Sequence, residues 1–466
     1  MRTGPGPERR GSGDGGRQQR GGPELADAPL LDDVLPWSVA PLRLGRDWVR
    51  APDTASLHGR WDVLTGAPDE AARSALLRPS RARTLHSAVA PLPGRPAHGG
   101  RLARELGGCP QPLAIAHGPY DQQWLIPDSR LIDAPRPELW RVCDARQTSL
   151  IETAYDPALP GPVAAFTALL PDGHSPAGRP CRIRPFYRRP GGAEPNLPPG
   201  LLQLLGARLE SAVTAEEVLA WIAAAVCAGP APRTGSSRAR TVRVVPFTAD
   251  PRLWRRGVAL GRRSLWLHTR GARGAPGAGG TNGADGNGSY GAEPADSEPA
   301  VRGVPRLPGG RRPYVRAPLP ANPGPDALGY DPEERVLRIG DGRIAPVDPS
   351  AWEFAVCGVP VLADWYERRT EPAEAGTLAA VRPRVWPREW TSQLLELITT
   401  LTLLAELRTA QEELARELAA EAARGAAPGR GELRRAGVLP PPAAARRPAS
   451  VLDPDEEGPE GQLALL

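Results

Sequence analysis

Arginine is the residue through which this sequence could do chemistry. The 466-residue chain contains no lysine, so all 58 basic side chains are guanidinium groups. That excludes Schiff-base lysines, a lysine general base and a phosphate loop ending in Gly-Lys-Ser/Thr. A guanidinium is a planar fork of donors that pairs with phosphate oxygens or with the guanine edge. Three constellations present such forks together. In GRPCRIRPFYRRP, residues Arg179, Arg182, Arg184, Arg188 and Arg189 surround Phe186 and Tyr187 with no acid between them. Between Pro251 and Ala284, Arg252, Arg255, Arg256, Arg262, Arg263, Arg270 and Arg273 occur without an Asp or Glu. In YDQQWLIPDSRLIDAPRPELW (120–140), Gln122, Gln123, Arg130 and Arg136 accompany Trp124 and Trp140. Gln and Arg are the side chains that read adenine and guanine bidentately, and arginines among aromatics suit a nucleic-acid backbone. The plainer reading is a solvated basic face in an arginine-biased composition. For 120–140 that reading makes the aromatic and aliphatic residues core, and Asp128, Arg130, Asp133 and Arg136 a structural ion-pair network.

Other chemistry finds little support. Adenine methylation needs an acidic or amide residue followed by Pro-Pro and an aromatic, to stack and hold a flipped base. Asn196-Leu197-Pro198-Pro199-Gly200 and Leu439-Pro440-Pro441-Pro442 lack that order. No glycine-rich strand-to-helix turn suits a nucleotide or methyl donor, and neither GxSxG nor HExxH occurs. Of six scattered histidines, His117 beside Gly118-Pro119-Tyr120 reads as a metal ligand or base, or more plainly as a surface or hydrogen-bonded histidine. Five cysteines with no CxxC fit neither a zinc ribbon nor a disulfide scaffold. No metal site and no catalytic residue is expected. The amino terminus lacks the apolar core of a signal peptide and no run of 18 apolar residues occurs, so a soluble cytoplasmic protein without membrane contact is expected. The net charge of +5 suits a polyanionic partner.

The elements that must position these residues follow from pattern. With 52 glycines and 57 prolines the chain should carry long irregular stretches, while 12 tryptophans argue for a folded centre. Residues 1–28 read as a disordered tail. A mostly helical region, 29–110, follows, with short helices over Leu57–Leu77 and Arg81–Val89. Residues 111–270 form a β-rich core closed by helices. Thr214 and Glu217 make a capping box, and Asp250 caps a helix that begins at Pro251. On that helix Trp254, Val258, Gly261, Leu265 and His268 share one face, and Arg252, Arg256 and Arg263 another. Residues 271–312 are a Gly-rich insertion, and 313–375 contain a hairpin, Val336–Ile339 and Arg343–Val347, turned at Gly340-Asp341-Gly342. Helices over 376–425, chiefly Trp390–Ala423, lead to a disordered tail, 426–466. The expected class is α+β: an irregular β-rich recognition domain with flanking helices, a C-terminal helical segment and disordered tails.

At 120–140 the string resembles a hallmark of the C-terminal specificity region of Type ISP restriction-modification enzymes and related actinobacterial DNA methyltransferases. LLDDVLPWSVAPLRLGRDWVRAP (30–52), VPFTADPRLWRRGVALGRRSLWLHT (245–269), YDPEERVLRIGDGRIAPVDPSAWEFAVCGVPVLADWYERR (330–369) and RPRVWPREWTSQLLELITTL (382–401) resemble further blocks in the same order. The resemblance spans about 29–410. It implies a target-recognition module for duplex DNA that follows nuclease, translocase and methyltransferase domains in full-length members. S-adenosylmethionine would then belong to a methyltransferase or nuclease-translocase chain or domain, and this chain would be a free-standing or split specificity module. A degenerate remnant or a protein-interaction module is the alternative. Gly118-Pro119-Tyr120 stands where the family's usual aromatic-arginine start precedes the Asp of the hallmark. The residues expected to face DNA are Gln122, Gln123, Arg130, Arg136, Arg182, Arg184, Arg188, Arg189, Arg252, Arg256 and Arg263.

Overall fold

A computed structural model describes residues 25–96, 100–156, 159, 161–178, 182–230, 241–273, 307 and 311–449. The tail expected over 1–28 and the insertion over 271–312 fall largely outside these residues. Among them, helices alternate with several small, mainly antiparallel sheets, an α+β arrangement. No helix among them is long and apolar enough to cross a membrane.

Among the described residues, three large hydrophobic cores and two small clusters are built from segments distant in sequence. In the first, Leu31, Val34 and Leu35 pack with the strands Ser149–Glu152 and Ala164–Thr167 and the helices Leu201–Leu209, Ala215–Ala225 and Pro251–His268; the strand Ile183–Pro185 completes that three-stranded sheet and places Ile183 in the second core. The Thr214/Glu217 capping box is formed, and the side chain of Asp250 accepts from the Arg252 N–H at the start of the Pro251–His268 helix. This helix crosses Ala215–Ala225 at close range. A Cβ at Gly261 would collide with the Ala220 carbonyl, and one at Gly257 with the Trp221 ring.

The second core buries Trp37, Trp48 and Trp61 against the hairpin Leu113–His117/Asp121–Leu125 and the segment Ile126–Val142. Its sheet adds Arg50–Ala51 to the outer edge of Asp121–Leu125 and Leu170–Pro171, in parallel, to Leu113–His117. Gly118 makes the hairpin turn at φ +72°, a left-handed conformation that favours glycine. The third core joins the sheet Tyr314–Ala317, Gly342–Ala345, Val336–Ile339 and Leu328–Asp331 to the helix Val361–Thr370 and the first half of the long helix Arg388–Ala423. The far end of that long helix, at Leu414 and Leu418, reaches the first core.

Two expectations are corrected. Arg81–Val89 is not helical: Ser80 Oγ accepts from the Ala82 and Arg83 N–H groups, and the Ser87 hydroxyl accepts from that of Thr84. The donor to Ser87 is the Thr84 backbone N–H, and these local bonds compete with a helical ladder. Order also runs past 425 to 449. The helix Arg430–Arg435 buries Leu433, Val438 and Leu439 follow it into the first core, and Arg430 pairs with Asp33 at 3.0 Å.

Candidate nucleic-acid interface

The helix Pro251–His268 shows why a basic stripe can stay exposed. At 100° per residue, Arg252, Arg256 and Arg263 fall within about 40° of one another, while Trp254, Val258, Gly261 and Leu265 lie on the opposite side. The structure buries that opposite side and exposes Arg252, Arg255, Arg256 and Arg263. Arg256 meets Glu417 at 2.5 Å on the surface. Arg252 and Arg263 form no ion pair with any described residue. An exposed guanidinium without a carboxylate keeps its charge available to a phosphate.

The other arginine-rich string behaves differently. Arg184, 2% exposed, is enclosed by Glu152 at 2.6 Å, by Asp32 and by the Leu35 carbonyl. It ties the N-terminal segment to the three-stranded sheet and cannot reach a phosphate. Arg188 and Arg189 grip Glu194, and Arg188 also donates to the Ala444 and Arg447 carbonyls at 2.7 and 2.8 Å. Arg182 is exposed and donates to Ser38 Oγ at 2.8 Å. Phe186 and Tyr187 are core residues.

Within 120–140, the plainer reading holds for most positions. Trp140, Leu131 and Ile132 are core and Trp124 packs against them. Arg130 is buried and forked onto Asp128, with Nη1 2.8 Å from Glu105. The expected ion-pair network is differently wired: Asp133 pairs with Arg46 at 3.2 Å, whereas Arg136 donates to the Pro41 carbonyl. Gln123 is buried, donating to Asp121 Oδ2 at 2.6 Å and accepting from Arg50 Nη1 at 2.9 Å. Gln122, on the other face of the strand, is half-buried and makes no side-chain hydrogen bond to a described residue. Of the expected base readers, only Gln122 and the partly exposed Arg136 retain free surface.

A second polar centre lies at the end of the same hairpin. His117 Nδ1 sits 2.5 Å from Asp172 Oδ2, and the other carboxylate oxygen accepts from the backbone N–H groups of Gly118 and His174. The two imidazoles stack with centroids 4.2 Å apart. Burial, then the nearby Arg50, pull His117 down to about 3 against the opposing pull of Asp172. His174 falls to about 4 through burial and Arg368. Both rings are therefore neutral near pH 7, with His117 donating its Nδ1–H. Burial would raise Asp172, but His117, Arg50 and the His174 N–H hold it ionised. Below it, Asp121 bridges Arg369 at 2.9 Å and Arg368 at 3.4 Å, which outweigh burial and lower it to about 2. This is the hydrogen-bonded reading of His117. Among the described residues no group of three His, Cys, Asp or Glu side chains could hold a metal.

No local pattern signals the partners of this centre, because Asp121 and Arg369 are 248 positions apart. Nor does the Asn-Leu-Pro-Pro string reveal its use. Asn196 is fully buried and pins Trp37 through both backbone groups at 2.9 and 2.8 Å.

No curated protein sequence matches the chain. Solved structures that the chain matches include a DrdV–DNA complex (TM-score 0.48, 13% identity, 83% of this chain and 36% of that one). A nuclease-deletion mutant of the Type ISP restriction-modification enzyme LlaGI with a DNA substrate mimic gives TM-score 0.46 and 10% identity over 86% of this chain and 29% of that one. The ATP-dependent Type ISP enzyme LlaBIII bound to DNA gives TM-score 0.45 and 11% identity over 83% and 23%. The chain thus spans about a third or less of the length of these proteins. The family model for the Type ISP C-terminal specificity domain matches residues 33–397, more than three quarters of the sequence, and the chain belongs to that family.

Proposed function

We propose that this chain recognises a specific duplex DNA sequence as the specificity module of a Type ISP-like restriction-modification system. The observation that carries the reading is the exposed arginine stripe on the Pro251–His268 helix, within a chain that belongs to the specificity-domain family. Arg252, Arg256 and Arg263, with Arg182, would neutralise backbone phosphates, and Gln122 and Arg136 would reach base edges. Arg130, Arg184 and Gln123 would act indirectly by holding the framework, and Arg188 and Arg189 by fixing the C-terminal segment through Glu194, Ala444 and Arg447. Methyl transfer would reside in a methyltransferase or nuclease-translocase partner working in the cytoplasm, which would hold the S-adenosylmethionine.

The test is selection of duplexes from a random-sequence pool by the purified full chain at ~150 mM salt, a concentration at which purely electrostatic binding is already weakened. Enrichment of one short motif is expected. Retention of duplexes without enrichment would reduce the module to a non-specific binder, and no retention would refute the reading.

A further inference from the structure

We propose that the cleft between the Thr54–Thr65 helix, the end of the Val361–Thr370 helix and the start of the long helix is a binding site for a phosphate group. The cleft encloses about 500 Å3 and is lined by Arg50, Arg60, Arg368, Arg369, Arg382 and Trp390. Three of these guanidinium groups have no carboxylate bonded to them. Arg60 donates to the Trp48, Arg50 and Val381 carbonyls at 2.9, 2.7 and 3.0 Å. Arg382 donates to the Glu371 and Arg369 carbonyls. Arg50 donates to Gln123. The other two, Arg368 and Arg369, share Asp121, with Asp364 2.5 Å from Arg368.

Carboxylates on the rim are partly spent elsewhere. Asp53 caps its helix through the Ser56 N–H at 2.7 Å, and Glu374 pairs with Arg78 at 2.6 Å in solvent, leaving Asp47 and Glu371. The second observation is independent of charge. Three residues that line this one cleft each carry a buried donor with no acceptor among the described residues: Arg50 Nε, Arg369 Nε and the indole N–H of Trp390. Arg369 is 2% and Trp390 5% exposed. Buried N–H groups are almost always satisfied, so three together indicate acceptors that the chain itself does not supply. A tetrahedral oxyanion brings several acceptor oxygens and the missing negative charge, and guanidinium groups hold it by charge-assisted bonds. An adjoining cleft shares Asp47, Arg50, His117 and His174, giving the site a route outward along the neutral imidazole pair.

The inference stands apart from the DNA reading, because the phosphate could come from a duplex backbone or from a small phosphorylated molecule. The test follows the tryptophan indole N–H resonances of the full chain, with the Trp390 signal assigned by its loss in Trp390→Phe. Inorganic phosphate is titrated against sodium chloride of equal ionic strength. A saturable shift of the Trp390 signal with phosphate alone is expected, with affinity roughly tenfold weaker in Arg50→Gln. Arg382→Gln, which loses only two bonds to backbone carbonyls, serves equally if Arg50→Gln does not fold. A short duplex that moves the same signal identifies the backbone as the source. A duplex that does not, with phosphate still active, identifies a free phosphorylated ligand. No shift with phosphate or duplex overturns the site. Because the readout does not require sequence-specific binding, failure of the DNA reading leaves this result interpretable, and the reverse also holds.

Discussion

An arginine's contribution here is decided by whether a carboxylate or a carbonyl has reached it first. Arg184 and Arg182 are two residues apart in the sequence, yet the first is enclosed by Glu152 and Asp32 while the second is exposed beside Ser38. Their alanine variants should therefore fail in different ways. Arg184→Ala leaves the buried Glu152 with only Arg243, 3.0 Å away, and should cost about 3–5 kcal/mol in a urea unfolding experiment. A loss under about 1 kcal/mol would contradict this account. Arg182→Ala, Arg252→Ala and Arg263→Ala should unfold like the parent. Each should instead flatten the plot of log binding constant against log salt for duplex DNA by about 0.9, the value of one lost phosphate contact. An unchanged slope in all three would remove them from the interface. Gln122→Ala should relax sequence preference in the selected pool without altering the salt slope, since a base contact releases no counterion.

At the scale of elements, the Pro251–His268 helix was legible in advance, since its cap, its proline start and its two faces are all encoded between Asp250 and His268. What decides its position is the pair of glycines against Ala215–Ala225. Gly261→Ala drives a methyl group into the Ala220 carbonyl, backbone that cannot rotate away, and should destabilise by roughly 1–3 kcal/mol or more. Gly324→Ala is the control: a Cβ there meets nothing within 4 Å and its φ is −74°, so the unfolding midpoint should hardly move. Equal effects would mean that close approach to Ala220 does not govern Gly261. The Arg81–Val89 stretch and the ordered segment after 425 show the limit of local pattern. The first has helical spacing but serine and threonine hydroxyls bonded to its own backbone. The second, rich in proline, is ordered by Leu433, Val438 and Leu439 entering a core more than 200 positions away in sequence, at Leu201 and Leu205. Likewise, which arginines of 120–140 and 179–189 would be internal depended on partners such as Glu105 and Asp32, which no spacing rule connects to them.

Across the whole molecule, three cores share segments, so a charge cluster set between them can report on the assembly as a unit. The His117–Asp172–His174 group lies between the second core and the helix that carries Arg368 and Arg369, and His268 ends the arginine helix with its Nδ1 buried and unbonded. Folding holds His117 at about 3, and His174 and His268 at about 4, chiefly through burial. In the unfolded chain each would titrate near 6.5. Between these values the unfolded state binds protons that the folded state does not, so stability must fall as pH drops from about 6.5 toward 4. The slope should approach about 1.4 kcal/mol per pH unit for each fully buried imidazole, and less for the half-buried His174. Asp121, lowered to about 2, adds its own loss only below the ordinary carboxylate value of 3.8. Urea midpoints at pH 7, 5.5 and 4.5 should therefore decline steadily, with a shallower decline in His117→Asn, which keeps a donor toward Asp172 but cannot take up a proton. A parent profile flat over that range would mean that the imidazoles are already charged in the folded state. Saturating phosphate in the Arg50 cleft would raise the midpoint at pH 7, where none of these imidazoles changes protonation.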